Sequence, residues 1–160
     1  MHGGVTIRPI RPEDREALAT AHEHLSPESV RKRYLTPKPR LTERDLTYLT
    51  EVDGVNHVAL IAVEDGDIVG VGRWVRLPED PTTAEVAVIV ADDHQGQGLG
   101  RRLGLALADA ARERGIERFN ALLLSDNVAA HRLFASISRR LDSRHEAGLE
   151  ELVIELPAAA

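Results

Sequence analysis

Along this chain, short runs with a two-residue hydrophobic period give way to longer stretches with a helical period and back again. Residues 5–10 alternate apolar and polar side chains and predict a first strand. It runs into Arg11-Pro12-Glu13-Asp14, where proline suits the first helical turn and the acidic pair suits a helix N-terminus; a helix is expected to about His24. Ser26-Pro27-Glu28 opens a second short helix through Tyr34, and Thr42-Glu43-Arg44-Asp45 opens a third ending near Glu51. Strands are expected at 57–63 and 68–76 as a hairpin about Asp65-Gly66, and again at 83–90 after a loop at 78–81. Leu99, Leu103, Ala106, Leu107 and Ala110 then form an apolar stripe at helical spacing, closed by Gly115 in the C′ position. A strand at 118–124, a helix from 127 to about 135, and a hairpin of 140–145 with 149–156 about Gly148 complete the pattern. Residues 157–160 read as a frayed tail. The expectation is one α/β domain over residues 1–160, with its core at 5–156.

One segment breaks both periods. Gln95-Gly96-Gln97-Gly98-Leu99-Gly100 lies between the apolar strand Glu85-Val86-Ala87-Val88-Ile89-Val90 and the amphipathic helix. A strand, a glycine-rich turn and a helix in that order make an anion cradle, because glycines admit close approach and backbone N–H groups point out of the helix N-terminus. Arg101 and Arg102 follow and add positive charge, so a pyrophosphate-bearing ligand is expected. A P-loop would need a lysine after its last glycine, and the two lysines of the chain are Lys32 and Lys38. A dinucleotide fingerprint would need different glycine spacing at the first βα turn. A turn that merely caps a helix is the plain alternative.

Gln95, Gly98 and Gly100 fill the Gln/Arg-x-x-Gly-x-Gly/Ala pattern, and the chain thereby resembles the GNAT family of acetyl-CoA-dependent N-acetyltransferases. Asn127-x-x-Ala130-x-x-Leu133-Phe134 resembles that family's later Asn-x-x-Ala-x-x-Leu-Tyr helix, and the element order agrees from residue 5 to residue 156. The resemblance implies an α/β (α+β) fold whose central, mostly antiparallel mixed sheet is splayed at the acetyl-CoA site and flanked by helices. It further implies that Val88 and Val90 offer backbone to the pantetheine arm. Gln95, Gly96, Gln97, Gly98, Gly100 and Arg101 would hold the pyrophosphate. Asn127 would contact the pantetheine arm or a structural water, a role compatible with capping its helix. Phe134 stands where the family commonly has a tyrosine that protonates the leaving thiolate. It is expected to pack against the cofactor, which leaves no side-chain general acid unless His131 supplies one. Glu85 is the expected general base, a position where many family members keep theirs. Its alternation with apolar Ala87 and Ile89 would give it neighbours that raise a carboxylate, against the alternative of a solvated strand residue.

Composition narrows the rest. Apolar residues make up 42% and charged residues 29% of the 160, as in a soluble globular protein. The apolar runs are too short to span a bilayer, and Met1-His2-Gly3-Gly4 lacks the features of a secretory signal, so a cytoplasmic address is expected. No cysteine is present, which excludes disulfides, thiolate metal sites and a cysteine nucleophile. A net charge of −6 argues against nucleic acid as partner, and no His/Asp/Glu group has metal-ligand spacing.

The acceptor is less legible. Ser26-Pro27-Glu28-Ser29, Arg33-Tyr34, Leu41-Thr42, Leu46, Leu49-Thr50, Asp53 and His57-x-Ala59-Leu60 resemble bacterial protein lysine acetyltransferases that modify acyl-CoA synthetases. These positions serve equally well as caps and core contacts. A protein lysine is the expected acceptor, with an acyl-CoA synthetase as the expected partner; a small-molecule amine (polyamine, aminoglycoside or amino-acid derivative) and a non-catalytic acetyl-CoA-binding module are the alternatives.

Overall fold

A computed structural model describes residues 4–158; Met1 to Gly3 and the last two residues of the expected tail lie outside the described residues. The strands are β1 (Thr6–Pro9), β2 (His57–Glu64), β3 (Asp67–Leu77), β4 (Asp80–Val90), β5 (Arg118–Leu124), β6 (Arg140–Glu146) and β7 (Leu149–Glu155). The helices are α1 (Arg15–Glu23), α2 (Pro27–Tyr34), α3 (Glu43–Thr50), α4 (Leu99–Glu113) and α5 (Val128–Ile137). The strands form one sheet in the order β1-β2-β3-β4-β5-β7-β6, antiparallel except where β4 meets β5.

At β2 both faces of the sheet are covered, which is why this strand reads as an unbroken apolar run rather than an alternating one. Val58, Leu60 and Ala62 point into a core shared with Leu103, Leu107 and Ala111 of α4 and with Phe134 and Ile137 of α5. Ala59 and Ile61 point the other way, against Leu18 of α1 and Leu46 and Leu49 of α3. Trp74 is fully buried, and its indole N–H donates to the Leu107 carbonyl at 3.2 Å, which satisfies the one polar atom that its burial carries inward. Helix α4 sits close to the sheet because β3 has glycines beneath it. A Cβ on Gly72 would lie 2.7 Å from Leu107 Cδ1, and one on Gly70 would lie 3.0 Å from Leu103 Cδ1.

The boundaries differ from the sequence expectation in three places. The turn after β1 begins as a 3₁₀ turn, Pro12–Asp14, and becomes α-helical only at Arg15. There the Asp14 carboxylate accepts from the Arg11 N–H and from both terminal nitrogens of Arg8, tying the turn to β1 and holding the carboxyl below its ordinary value. Strand β4 begins at Asp80 rather than after the expected loop. Pro81 is tolerated because pairing with β5 starts only at Thr83, and the Asp80 carboxylate gathers the Thr82 and Thr83 hydroxyls. Helix α5 runs to Ile137, whose side chain closes the core.

The glycine seat under α4 makes a direct test of this packing. Gly72→Val is expected to destabilise the fold by about 1–3 kcal/mol, the cost of overpacking a close helix–sheet contact. Thermal unfolding measures it, and an unchanged melting temperature would mean that α4 can move away freely.

Candidate functional site

The site begins where two strands part. Strand β4 pairs with β5 only through Thr83↔Arg118, Ala84↔Phe119 and Glu85↔Asn120. Beyond that point β4 stays with β3 as far as Gly70↔Val90, while β5 stays with β7 as far as Leu124↔Leu149. A V opens between them. The Glu117 N–H bonds the Thr82 carbonyl at one end of β4, and the Ala91 N–H bonds Val69 at the other. Strand alternation between those two points turns the peptide groups of Val86, Val88 and Val90 into the V.

Past the open end of the V, the glycine loop leads into α4. Gly98 is the N-cap at φ 81°, and Gly96 has φ 77°, so both glycines occupy left-handed backbone that other residues rarely adopt. No side chain caps α4 and its first turn has no acidic residue, so its first N–H groups point outward unsatisfied. Gln95 ties the loop down: its amide donates to the Val90 carbonyl at 3.0 Å and to Ser29 Oγ at 3.3 Å. His94 adds a second anchor, with Nε2 at 3.0 Å from Glu64 and Nδ1 at 2.8 Å from Asp93. Those carboxylates, Glu64 first, hold the imidazole above its ordinary 6.5. This anchor is complete below 6.5 and weakens as pH rises through the raised value.

Loop, strand and helices enclose a cleft of about 410 Å³. Of the sequence-expected cofactor residues, Val88, Val90, Gln95, Gly96, Gly98, Gly100, Arg101 and Asn127 line it. Asn127 also caps α5, its Oδ1 accepting from the Ala130 N–H at 3.2 Å. Gln97 is exposed and not among the lining residues; its amide turns back toward the Asp93 carbonyl. Arg102 reaches the Val5 carbonyl, away from the cleft. Sequence reasoning did not place Lys32 and Arg33 of α2 at this cleft, having read Arg33 on the acceptor side, and missed Arg132 of α5; the three join Arg101 to put four cations around the cleft. The spacing of Ala129, Arg132, Leu133 and Ser136 marks a second face of α5 that could have identified Arg132.

That helical phase also corrects the expectation for Phe134. It is 1% exposed and packs in the core beneath α5, while its neighbour Leu133 faces the cleft. His131 is likewise turned away, with Nδ1 at 2.9 Å from the buried carboxylate of Glu150, and does not line the cleft.

Glu85 stands at the apex of the V, in the last pair that β4 makes with β5. The apolar enclosure expected from Ala87 and Ile89 is not there: Glu85 is exposed. It lines a second cavity of about 460 Å³ with Arg33, Tyr48, Arg73, Asn120, Leu122 and Glu151. Tyr48 (57% exposed) and Leu122 (50%) present apolar surface beside it. Arg33 lines both this cavity and the cleft, so the two spaces meet at α2.

Most other positions carrying the acceptor resemblance are structural. Ser26 caps α2 and Thr42 caps α3. Asp53 Oδ1 gathers the N–H groups of Val55, Asn56 and His57, which holds its carboxyl below the ordinary value. Among the described residues no group of three or more His, Asp or Glu could hold a metal, and no helix is long and apolar enough to cross a membrane.

Three substitutions separate these roles. A Cβ at Gly100 would make only ordinary contacts, 3.6 Å to Leu133 and 3.7 Å to Val90, so Gly100→Ala should fold. Gly100→Glu should also fold, yet lose the thermal shift that the expected pyrophosphate-bearing ligand would give the unaltered chain, about 2.7 kcal/mol at 100 times its dissociation constant. Gly98 is a poorer test, since its positive φ strains any replacement. Phe134→Tyr should cost about 1–3 kcal/mol of stability by burying a hydroxyl without a partner. A faster enzyme of unchanged stability would show that this side chain reaches the cleft.

Comparison with known proteins agrees with this geometry. Residues 18–137 match the Acetyltransferase (GNAT) family. Acetyltransferase Pat of Mycolicibacterium smegmatis is 36% identical over 129 residues, 79% of this chain; the chain spans 38% of that protein's length. An acetyltransferase of Pseudomonas aeruginosa is 33% identical over 137 residues, covering 83% of this chain and 73% of that protein. The crystal structure of the GNAT domain of S. lividans PAT superposes with a TM-score of 0.88 at 34% identity, over 96% of this chain and 92% of that one. With its splayed sheet, its glycine cradle and these relatives, the chain belongs to the GNAT family of acetyltransferases, whose acyl donor is acetyl-CoA.

Proposed function

We propose that this chain moves the acetyl group of acetyl-CoA to the side-chain amine of a lysine on a folded protein, with Glu85 as the general base. The observation that carries the reading is the place of Glu85, at the apex of the V and on the wall of the second cavity, which meets the cofactor cleft at Arg33.

The cleft fits the proposed donor. Outward N–H groups of α4, four surrounding cations and the open space at Gly96 and Gly98 suit a pyrophosphate. The Val88 and Val90 peptide groups suit the amides of a pantetheine arm laid along β4 like an added strand. Acetyl-CoA supplies the activated acetyl thioester when bound. The Val88 N–H, directed into the V, is the donor suited to the negative charge that develops on the thioester oxygen. A lysine amine has a pKa of about 10.4 and arrives protonated, so its proton must be taken up; Glu85 accepts it, directly or through water. No side-chain acid is assigned to the leaving thiolate, because a thiol pKa near 8.5 lets water serve.

A protein acceptor is supported by the exposed apolar rim of Tyr48 and Leu122, by the chain's acidic balance, and by the resemblance across residues 26–60. An acyl-CoA synthetase is the proposed partner, by that resemblance. Glu85→Gln should leave acetyl-CoA affinity nearly intact and lower kcat by about 10²-fold at pH 7. The deficit should shrink as pH rises, because more of the amine is then neutral. Normal turnover at pH 7 would rule Glu85 out, and labelling of free polyamines but no protein would rule out the protein acceptor.

A further inference from the structure

The second cavity is divided by charge. Its β4 and β7 wall includes Glu85 and Glu151, and its α2 and β3 wall includes Arg33 and Arg73, both of which also line a smaller pocket with Leu18, Leu49 and Ile89. Arg73 is 5% exposed, yet among the described residues neither arginine forms an ion pair with a carboxylate. Arg73 makes its side-chain hydrogen bonds through Nη1 alone, to the Leu49 carbonyl at 3.1 Å and to His57 Nε2 at 2.9 Å. Burial and Arg73 push His57 down to about 4, so His57 is neutral and accepts this bond. No buried side-chain nitrogen or oxygen among the described residues lacks a hydrogen-bond partner. The Nε and Nη2 of Arg73, which have none, are therefore not sealed in the core but reach accessible space.

Arg33 is half-buried, its guanidinium 4.6 Å from the Tyr34 ring centroid, with no hydrogen-bond acceptor among the described residues. Burial lowers both arginines, Arg73 to about 10, and both keep their charge at neutral pH. Two like charges are thus held together in a partly dry place, compensated by one tyrosine face, a neutral imidazole and one carbonyl. That arrangement is costly unless an anion completes it, and a guanidinium fork is shaped to receive a carboxylate.

We infer that Arg33 and Arg73 form a receiving site for a carboxylate carried by the acceptor beside the amine that is acetylated. Arg73 stands opposite Ala87 in the β3–β4 register, so it is the diagonal neighbour of Glu85 on the same sheet face, about 7–8 Å away. Amine toward Glu85 and carboxylate toward the arginines gives a two-point fit that orients the nucleophile. This inference rests on the acetyltransferase reading and narrows its substrate class to amines with a carboxylate close by. The carboxylate comes from an acidic residue near the target lysine or from the acceptor's own α-carboxylate.

The experiment measures kcat/KM for the unaltered chain and for Arg33→Gln and Arg33→Lys on two matched pairs. One pair is a lysine peptide with Glu or with Gln beside the lysine, and the other is free L-lysine or its carboxamide. The carboxylate member should be preferred by at least tenfold in one pair, and Arg33→Gln should collapse that ratio toward one. Arg33→Lys should restore part of it, because the charge returns without the fork. A preference confined to the free-lysine pair, with no peptide labelled, would sustain the carboxylate site and overturn the protein acceptor. Equal rates for both members of each pair would overturn the carboxylate site while leaving peptide acetylation standing. A rise in KM for acetyl-CoA with the acceptor ratio unchanged would also overturn it, by showing that Arg33 serves the cofactor cleft alone.

Discussion

The rest of this structure depends on the pairing of β4 and β5 stopping after three residue pairs. Backbone N–H and C=O groups inside a protein need partners, and a sheet opened in its middle leaves two inner edges without them. On β4 those unpaired groups belong to alternate residues, Val86, Val88 and Val90. The Val90 carbonyl is met by the Gln95 amide, so the residue that anchors the glycine loop also caps the end of the open edge. The Val88 peptide lies deeper in the V, which suits a ligand that can pair like a strand.

The second determinant is how closely α4 approaches the sheet. Gly70 and Gly72 let Leu103 and Leu107 descend onto β3, and Trp74 reaches up to the Leu107 carbonyl. This seat sets the direction of the helix axis, and the axis sets where the outward N–H groups of its first turn point. The loop need only bridge from the end of β4 to that point, through left-handed glycines at 96 and 98. Cations then gather from three separate elements: Arg101 at the start of α4, Lys32 and Arg33 from α2, and Arg132 from α5. Positive charge around the cleft is therefore distributed over the fold rather than concentrated in the glycine loop.

What was legible in the sequence follows from this division. Periodicity located the helices and strands to within a few residues, because most of them bury a continuous face or, for β2, both faces, while α2 and β6 were marked by a cap and by a glycine turn. The glycine spacing announced the cradle, since few other uses of that spacing follow a strand and precede a helix. Contacts decided by rotation about a helix axis were less legible. Phe134 and Leu133 are adjacent in sequence, yet one belongs to the core and the other to the cleft, and which is which depends on the packing of α5 against α4. Burial of Glu85 was misjudged for a related reason: Ala87 and Ile89 share its face, but the helices packed on that face cover Ile89 and stop short of Glu85. The convergence of Arg33 and Arg73 had no local signal, the two residues lying forty positions apart in the chain on separate elements.

The exposure of Glu85 has a consequence for how the proposed reaction would be controlled. A solvated carboxylate is a weak base, because water stabilises its charged form; removing that water raises its affinity for a proton. The apolar surfaces of Tyr48 and Leu122 beside the cavity are suited to exclude water once an acceptor is seated. A poorly fitting amine would leave Glu85 hydrated, whereas a docked one would meet it with that water displaced. The guanidiniums on the opposite wall act in the same direction, since an acceptor carboxylate would neutralise a repulsion that the free protein cannot relieve. In the proposed reaction, acceptor recognition and proton removal would be a single event, and selectivity would appear in turnover as well as in binding.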